Sequence, residues 1–265
     1  MLRKRRISSE RAKQRLQAFP ITRIIPNVTT LLALCTGLSG IRFVMLERYE
    51  VAVAAVLIAG ILDAMDGRLA RMLGATSHFG AELDSFSDFV SFGVAPGVML
   101  YMTSLYQWGG FGWAIVLFYV ICQALRLARF NTDSLKPDPL PVWAKKYSTG
   151  VPAPAGAMLA LMGMILSFAC EISFFKSPVL SAFCLICSGL LMVSKIPTFL
   201  MKGQHIDQRR VLPLMLLAGL IVTALINAPW ASLFVMGILY LVSIPFSYKS
   251  YHRQEQAEAL EKGLS

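Results

Sequence analysis

The sequence predicts an all-α membrane protein: a polytopic bundle of about eight transmembrane helices with both termini in the cytoplasm. Three observations support this class. Of the 265 residues, 56% are hydrophobic and 15% are charged, whereas soluble domains average nearer a quarter charged residues. Apolar runs recur from residue 26 to residue 248, and most approach the roughly 20 residues that cross ~30 Å of hydrocarbon. Basic residues are concentrated in alternate loops.

The apolar runs divide the chain into consecutive segments. The predicted spans cover residues 26–46, 51–72, 82–104, 111–130, 151–169, 178–197, 211–227 and 230–248. A basic segment, 1–25, precedes them, and a polar tail, 249–265, follows. We expect the first six spans, within 26–200, to form the core of the protein, and 201–248 to add two further spans.

The distribution of lysine and arginine predicts the orientation of the bundle. The formal net charge is +10, and the basic residues fall at the N-terminus and in every second loop. These basic stretches are 1–25, 131–150, 198–210 and 249–265, together with Arg68 and Arg71 just before the loop 73–81. Positive residues stay on the cytoplasmic side, so both termini should be cytoplasmic. A basic surface of this kind suits anionic lipid headgroups, and we do not expect nucleic acid to bind.

Four aspartates interrupt the second and third predicted spans. Asp63 and Asp66 are three residues apart, and Asp84 and Asp88 are four apart, so each pair lies on one helix face. A span that begins near Val51 on the outer side places Asp63 about 18 Å along the helix, past the midplane. The third span enters from the cytoplasmic side and brings its two aspartates to the same depth. Adjacent antiparallel helices would then direct four carboxylates into one small volume.

Such a cluster needs neutralisation. Four unpaired aspartates would cost about 10 kcal/mol on insertion scales, against about 5–15 kcal/mol for the whole stability of a typical domain. Protonation is one solution, and divalent cations are a better one, because Mg²⁺ and Mn²⁺ prefer carboxylate and water oxygens. Gly67 and Gly80 leave room for a ligand nearby. Arg68 and Arg71, one turn nearer the cytoplasm, can bind phosphate, so a pyrophosphate substrate is indicated.

A cation or proton transporter is the alternative from another functional class, because buried acids in helical bundles also form ion pathways. A transporter predicts acids spread along a path and some symmetry between the two halves of the chain. Here the aspartates fall in one depth band and the halves are dissimilar. Isolated charges at the edges of loops would not explain Asp63.

The pattern D-x2-D-G-x2-A-R-x8-G-x3-D-x3-D resembles the signature of the CDP-alcohol phosphotransferases. It is met by Asp63, Asp66, Gly67, Ala70, Arg71, Gly80, Asp84 and Asp88. Further stretches resemble the membrane-embedded bacterial phosphatidylserine synthases within that family. They are "PNVTTLLAL" (26–34), "SFGVAPG" (91–97), "ALRLARFN" (124–131), "GVPAPAGA" (150–157) and "LMVSKIPT" (191–198). The resemblance covers most of residues 20–200, which would make this part the catalytic core.

The resemblance implies a role for each matched position. Asp63, Asp66 and Asp84 would ligate two divalent ions, Mg²⁺ or Mn²⁺, and Asp88 would act as the general base with a further contact to metal. Asn27, Gly67, Arg71 and Gly80 would line the nucleotide and its phosphates.

The resemblance also implies the substrates. CDP-diacylglycerol would donate a phosphatidyl group to the hydroxyl of L-serine, with glycerol 3-phosphate or an inositol phosphate as alternative acceptors. Arg126 and Arg129 are three residues apart and can grasp a carboxylate, and Lys146 is a further candidate for binding serine. The resemblance further implies a homodimer in the inner membrane of a bacterium, with the active site facing the cytoplasm.

Overall fold

The computed structural model describes residues 21–134, 147–170, 172, 176–199 and 208–263, and this part of the chain is mostly helical. The helices are α1 Ile21–Met45, α2 Tyr49–Met72, α3 His78–Asp88, α4 Ala95–Thr103, α5 Gly109–Ser134, α6 Ala153–Ala160, α7 Met162–Cys170, α8 Pro178–Val193, α9 Gln208–Asn227 and α10 Pro229–Gly263. A π-helical segment, Phe89–Val94, joins α3 to α4, and a 3₁₀ turn, Leu105–Trp108, precedes α5. Two short strands, β1 Tyr147–Thr149 and β2 Pro197–Phe199, pair antiparallel.

The membrane class is supported, while the predicted number of spans is met only in part. Within the described residues, three helices are long and apolar enough to cross a membrane, in α1, α5 and α10, and the bent pair α6–α7 makes a fourth if it forms one span. The charged residues of the aspartate region reduce the apolar character of α2 and α3, and α8 has only 16 residues. About eight spans and cytoplasmic termini therefore remain predictions.

Several boundaries differ from those that the sequence predicts. The third helix begins at His78 instead of residue 82, because the Ser77 side chain caps it by accepting a hydrogen bond of 3.0 Å from the Gly80 amide. The sixth predicted span ends at Val193, since the chain then leaves the helix and enters β2. The last predicted span and the tail as far as Gly263 form one helix, α10. The fold is thus not purely α-helical, although its only described sheet has two three-residue strands.

Small residues allow α1, α2 and the π-helical segment to pack closely. A Cβ atom on Gly37 would lie 2.6 Å from the Ser91 Cβ atom, and one on Gly40 would lie 3.1 Å from the Ala52 carbonyl oxygen. Close approach of helix backbones through glycine is typical of membrane bundles. The apolar core includes Ala52 from these contacts and Phe92 of the π-helical segment. This packing fixes α2 and the α3–π segment beside each other, which positions the aspartates.

The small sheet joins the chain before α6 to the chain after α8. Gly150 follows β1 with φ +79°, and a Cβ atom there would lie 2.5 Å from the Met192 carbonyl oxygen. Its amide donates a hydrogen bond of 2.9 Å to the Ile196 carbonyl, which holds the chain before α6 against the end of α8. Helix α10 packs against β2 and α7, so the C-terminal helix is attached to the core through this sheet.

Candidate active site

Helices α2 and α3 bring the four aspartates together. One carboxylate oxygen from each of Asp63, Asp66 and Asp84 lies within 4.8 Å of the other two. The Asp63 carboxylate is also within hydrogen-bonding reach of Asp84 and Asp88. The two antiparallel helices therefore direct all four acidic side chains into one volume.

The surroundings of these carboxylates fit a divalent metal. Asp66 is only 4% exposed. The Oδ1 atoms of Asp84 and Asp88 are buried and have no hydrogen-bond partner among the described residues. Buried oxygens are normally paired, and clustered carboxylates repel each other, so the group is incomplete without positive charge. A set of hard oxygen donors suits Mg²⁺ or Mn²⁺.

Thr30 of α1 contacts the aspartate cluster. The sequence pattern alone did not single out this residue. Its hydroxyl donates a hydrogen bond of 2.6 Å to Asp66 Oδ2, and its carbonyl accepts one of 3.2 Å from the Ser87 hydroxyl. Thr30 is 4% exposed. A signal for it was present, because Asn27 and Thr30 are polar residues about one turn apart on the same face of α1.

A cavity of about 280 Å³ opens beside the aspartates. Its lining includes Asn27, Gly67, Arg71 and Gly80, the residues expected at the nucleotide, together with Asp66 and Asp84. A Cβ atom on Gly67 would meet nothing within 4 Å, whereas one on Gly80 would lie 3.1 Å from the Asn27 Oδ1 atom. The first glycine thus keeps space open, and the second allows Asn27 to approach α3.

The π-helical segment begins directly after Asp88. It is held against α1 by the Ser91 hydroxyl, which lies 3.4 Å from the Ala33 carbonyl oxygen. The Tyr119 hydroxyl of α5 donates a hydrogen bond of 2.7 Å to the Phe92 carbonyl within the segment. A π turn changes the angular spacing of side chains, and such turns are frequent at functional sites. Here it fixes the end of α3 that carries Asp88.

The three residues expected at the acceptor have different positions. Arg126 of α5 interacts electrostatically with Asp88 and Asp63, and its Nη1 atom is buried without a hydrogen-bond partner among the described residues. The Nη1 atom of Arg129 donates a hydrogen bond of 2.7 Å to the Val193 carbonyl, at the end of α8. This guanidinium therefore caps a helix, and only Arg126 is placed at the aspartates. Lys146 lies outside the described residues.

The aspartate cluster has two sides. Asp66 and Asp84 line the cavity, and the positive charge of Arg126 acts on Asp63 and Asp88. The arrangement can therefore hold a phosphorylated ligand on one side and present a base and a guanidinium from another.

Comparison with known proteins identifies the family of the chain. The family model described as CDP-alcohol phosphatidyltransferase matches residues 23–248. A Mycobacterium tuberculosis protein named CDP-diacylglycerol--serine O-phosphatidyltransferase is 36% identical over 230 residues, covering 86% of this chain and 79% of the relative. Proteins with the same name from Bacillus subtilis and Methanocaldococcus jannaschii are each 36% identical, over 65% and 67% of this chain and 88% and 76% of their own lengths. This chain therefore belongs to the CDP-alcohol phosphatidyltransferase family and is an enzyme of that family.

Proposed function

We propose that the protein transfers the phosphatidyl group of CDP-diacylglycerol to the hydroxyl of L-serine, releasing CMP and leaving phosphatidylserine in the bilayer. The observation that carries this proposal is the approach of three carboxylate oxygens to within 4.8 Å of one another beside a cavity lined by Arg71 and Asn27. The serine specificity is supported by the names of the relatives.

The donor would occupy the cavity with its CDP group. Asp63, Asp66 and Asp84, with a further contact from Asp88, would hold two divalent ions. When bound, these ions neutralise the carboxylates and stabilise negative charge on the pyrophosphate. Arg71 supplies a guanidinium for a phosphate.

The transfer would begin at the serine hydroxyl. Asp88 accepts the hydroxyl proton as the general base, and the serine oxygen forms a bond to the phosphorus attached to diacylglycerol. The bond between this phosphorus and the oxygen of the CMP phosphate breaks, and CMP leaves. In-line displacement needs the attacking and leaving oxygens on opposite sides of the phosphorus. The two sides of the aspartate cluster suit this requirement.

Arg126 is the best-placed group for the carboxylate of serine, because its positive charge acts beside the base. Arg129 and Lys146 remain further candidates, although one nitrogen of Arg129 is already bound to a backbone carbonyl. We also infer a homodimer in the inner membrane of a bacterium, with the site facing the cytoplasm. The alternation of basic loops supports this orientation.

An acceptor panel tests the proposal. The purified protein in vesicles with CDP-diacylglycerol and Mg²⁺ or Mn²⁺ is given L-serine, glycerol 3-phosphate or inositol phosphate, and CMP and the lipid product are measured. We expect CMP and phosphatidylserine with serine. CMP with only another acceptor would retain the family chemistry and overturn the choice of serine. Cation uptake by the vesicles without CMP from any acceptor would favour the transporter.

A further inference from the structure

Gln123 of α5 is a fully buried amide, 0% exposed. Neither Nε2 nor Oε1 has a hydrogen-bond partner among the described residues. A buried amide normally satisfies most of its two donors and two acceptor positions. A Cβ atom on Gly93 would lie 2.8 Å from the Gln123 Cγ atom. Gln123 therefore packs against the π-helical segment that follows Asp88, with its polar end unpaired.

Arg126 lies three residues further along α5, on the same helix face as Gln123. Its Nη1 atom is also buried and unpaired within the described part of the chain. The groups that interact electrostatically with it include Asp88, Tyr240 and Tyr119. The Tyr119 hydroxyl already donates to the Phe92 carbonyl, whereas the Tyr240 hydroxyl has no hydrogen-bond partner among the described residues. The carboxylates of Asp88 and Asp63 act on the same guanidinium.

Tyr240 comes from α10, outside the six predicted spans of the core. Its hydroxyl is buried and is a third group without a hydrogen-bond partner in the residues described. Thr198 of β2 lies close to it, but the Thr198 hydroxyl donates its own proton to the Gly150 carbonyl at 2.8 Å. The contact of α10 with β2 and α7 thus brings the Tyr240 hydroxyl within the electrostatic influence of Arg126.

These groups match the polar atoms of an amino acid. A guanidinium only donates hydrogen bonds, whereas an amide and a phenol both donate and accept. Together they can bind a carboxylate through Arg126 and Tyr240, and an ammonium group through the Gln123 carbonyl oxygen. One cation beside two neutral groups suits a zwitterion with a single carboxylate. A phosphate dianion would require more positive charge.

We propose that Gln123 and Tyr240 complete, with Arg126, the binding site for the carboxylate and ammonium groups of the acceptor, so that α10 contributes to acceptor selection. The inference rests on the proposed function and deepens it. The three polar groups are closed off from solvent in this structure, so their side chains must part to admit serine.

Two substitutions that preserve shape test the site. Tyr240→Phe removes one oxygen, and Gln123→Met removes the amide. Loss of a hydrogen bond to a charged group lowers affinity by about tenfold or more. We expect each variant to raise the KM for serine by about tenfold, with the KM for CDP-diacylglycerol unchanged. Tyr248→Phe, at an exposed position of the same helix, is the matched control and should leave both KM values unchanged.

Acceptor selectivity provides a second readout that a purely structural role would not change. Ethanolamine lacks the carboxylate, so Tyr240→Phe should reduce the preference for serine over ethanolamine. If wild type uses serine and the folded variants keep its KM and this preference, the further inference is overturned and the proposed function stands. If wild type releases no CMP with serine, the proposed function itself fails. Should Gln123→Met not fold, Tyr240→Phe alone decides.

Discussion

Asp88 differs from Asp66 in the groups around it. It lies at the junction between α3 and the π-helical segment, and it is next to Asp63 on one side and within the electrostatic influence of Arg126 on another. Asp66, by contrast, lines the cavity and accepts a hydrogen bond from Thr30. These surroundings separate a residue suited to accepting a proton from one suited to holding a ligand.

The role of Asp88 can be separated from folding. Asp88→Asn keeps the size of the side chain but removes the base, and general-base catalysis typically contributes about 10²–10⁴-fold to a rate. We expect phosphatidyl transfer to fall by at least this factor and to become undetectable in ordinary assays. Stabilisation of the variant by CDP-diacylglycerol, measured as a shift in Tm, should persist. Wild-type turnover would remove Asp88 from the mechanism.

The hydrogen bond from Thr30 to Asp66 should govern metal affinity. Thr30→Val keeps the branched shape and removes the donor. Loss of a group that orients a metal ligand typically costs 10–100-fold in affinity or activity. We expect the Mg²⁺ or Mn²⁺ concentration for half-maximal activity to rise by about this factor.

Thr29→Val is the control for this measurement, because the Thr29 hydroxyl donates a hydrogen bond of 3.1 Å to the Ile25 carbonyl of its own helix. The control should retain the wild-type metal dependence. Equal metal dependence in both variants and in wild type would show that Thr30 does not influence the site.

At the residue scale, the sequence is most informative where charge is least expected. Asp63 in an apolar run requires an explanation, and its spacing to the other aspartates predicts the cluster. Thr30 and Gln123 carry no charge, so their roles become visible only when the neighbouring helix is in place. Arg129 fits a carboxylate fork by spacing, yet the fold uses one of its nitrogens to cap α8.

Among the elements, α2 presents Gly67 to the cavity. The Cβ atom that Gly67→Ala adds would have no atom within 4 Å. Inside a helix, alanine stabilises the folded state by about 0.5–1 kcal/mol relative to glycine. The free protein should therefore be at least as stable as wild type. The added methyl group takes space beside Asp66, so we expect a higher KM for CDP-diacylglycerol.

Gly219→Ala in α9 is the matched control for the cavity glycine, since it also has open space around it. It should give the same gain in helix stability without a change in the KM for CDP-diacylglycerol. Equal KM values for the two variants would mean that the donor does not approach Gly67.

The turn between β1 and α6 depends on Gly150. Any other residue would adopt a left-handed conformation, which costs about 1–3 kcal/mol, and its Cβ atom would also clash with the Met192 carbonyl oxygen. Gly150→Ala should lower Tm by several degrees. Gly110→Ala, at an open position with nothing within 4 Å, should leave Tm near that of wild type. An unchanged Tm for Gly150→Ala would contradict this account of the turn.

Helix boundaries could be predicted only where the sequence has local signals. Ser77 is such a signal, because a serine that caps a helix fixes its first turn, but the predicted start at residue 82 did not use it. The π-helical segment has none: it depends on the packing of Gly93 against Gln123 and on the hydrogen bond from Tyr119. The short sheet was also missed, because three-residue strands are too short to show an alternating pattern.

For the whole molecule, the orientation in the membrane is directly testable. In a variant without its native cysteines, Lys176→Cys lies in a loop predicted to be outside, and Arg253→Cys lies on the predicted cytoplasmic side. Both side chains are exposed. We expect a membrane-impermeant maleimide to label intact cells at position 176 only, and position 253 after permeabilisation. The reverse pattern would invert the topology and place the active site outside.

Composition alone does not determine the number of membrane spans in this protein. The apolar helices α1, α5 and α10 are long enough to be recognised by length and composition. Helices α2 and α3 carry the acidic residues of the site, so the chemistry that makes them functional also weakens their membrane character. The bundle's predicted count of about eight depends on these less apolar helices.

Helix α10 has 35 residues, which gives it a length of about 52 Å, against a hydrocarbon thickness of ~30 Å. Even with Pro245 inside it, a helix of this length extends beyond the hydrocarbon. A fluorescent reporter or affinity handle fused to its end would be held clear of the headgroups.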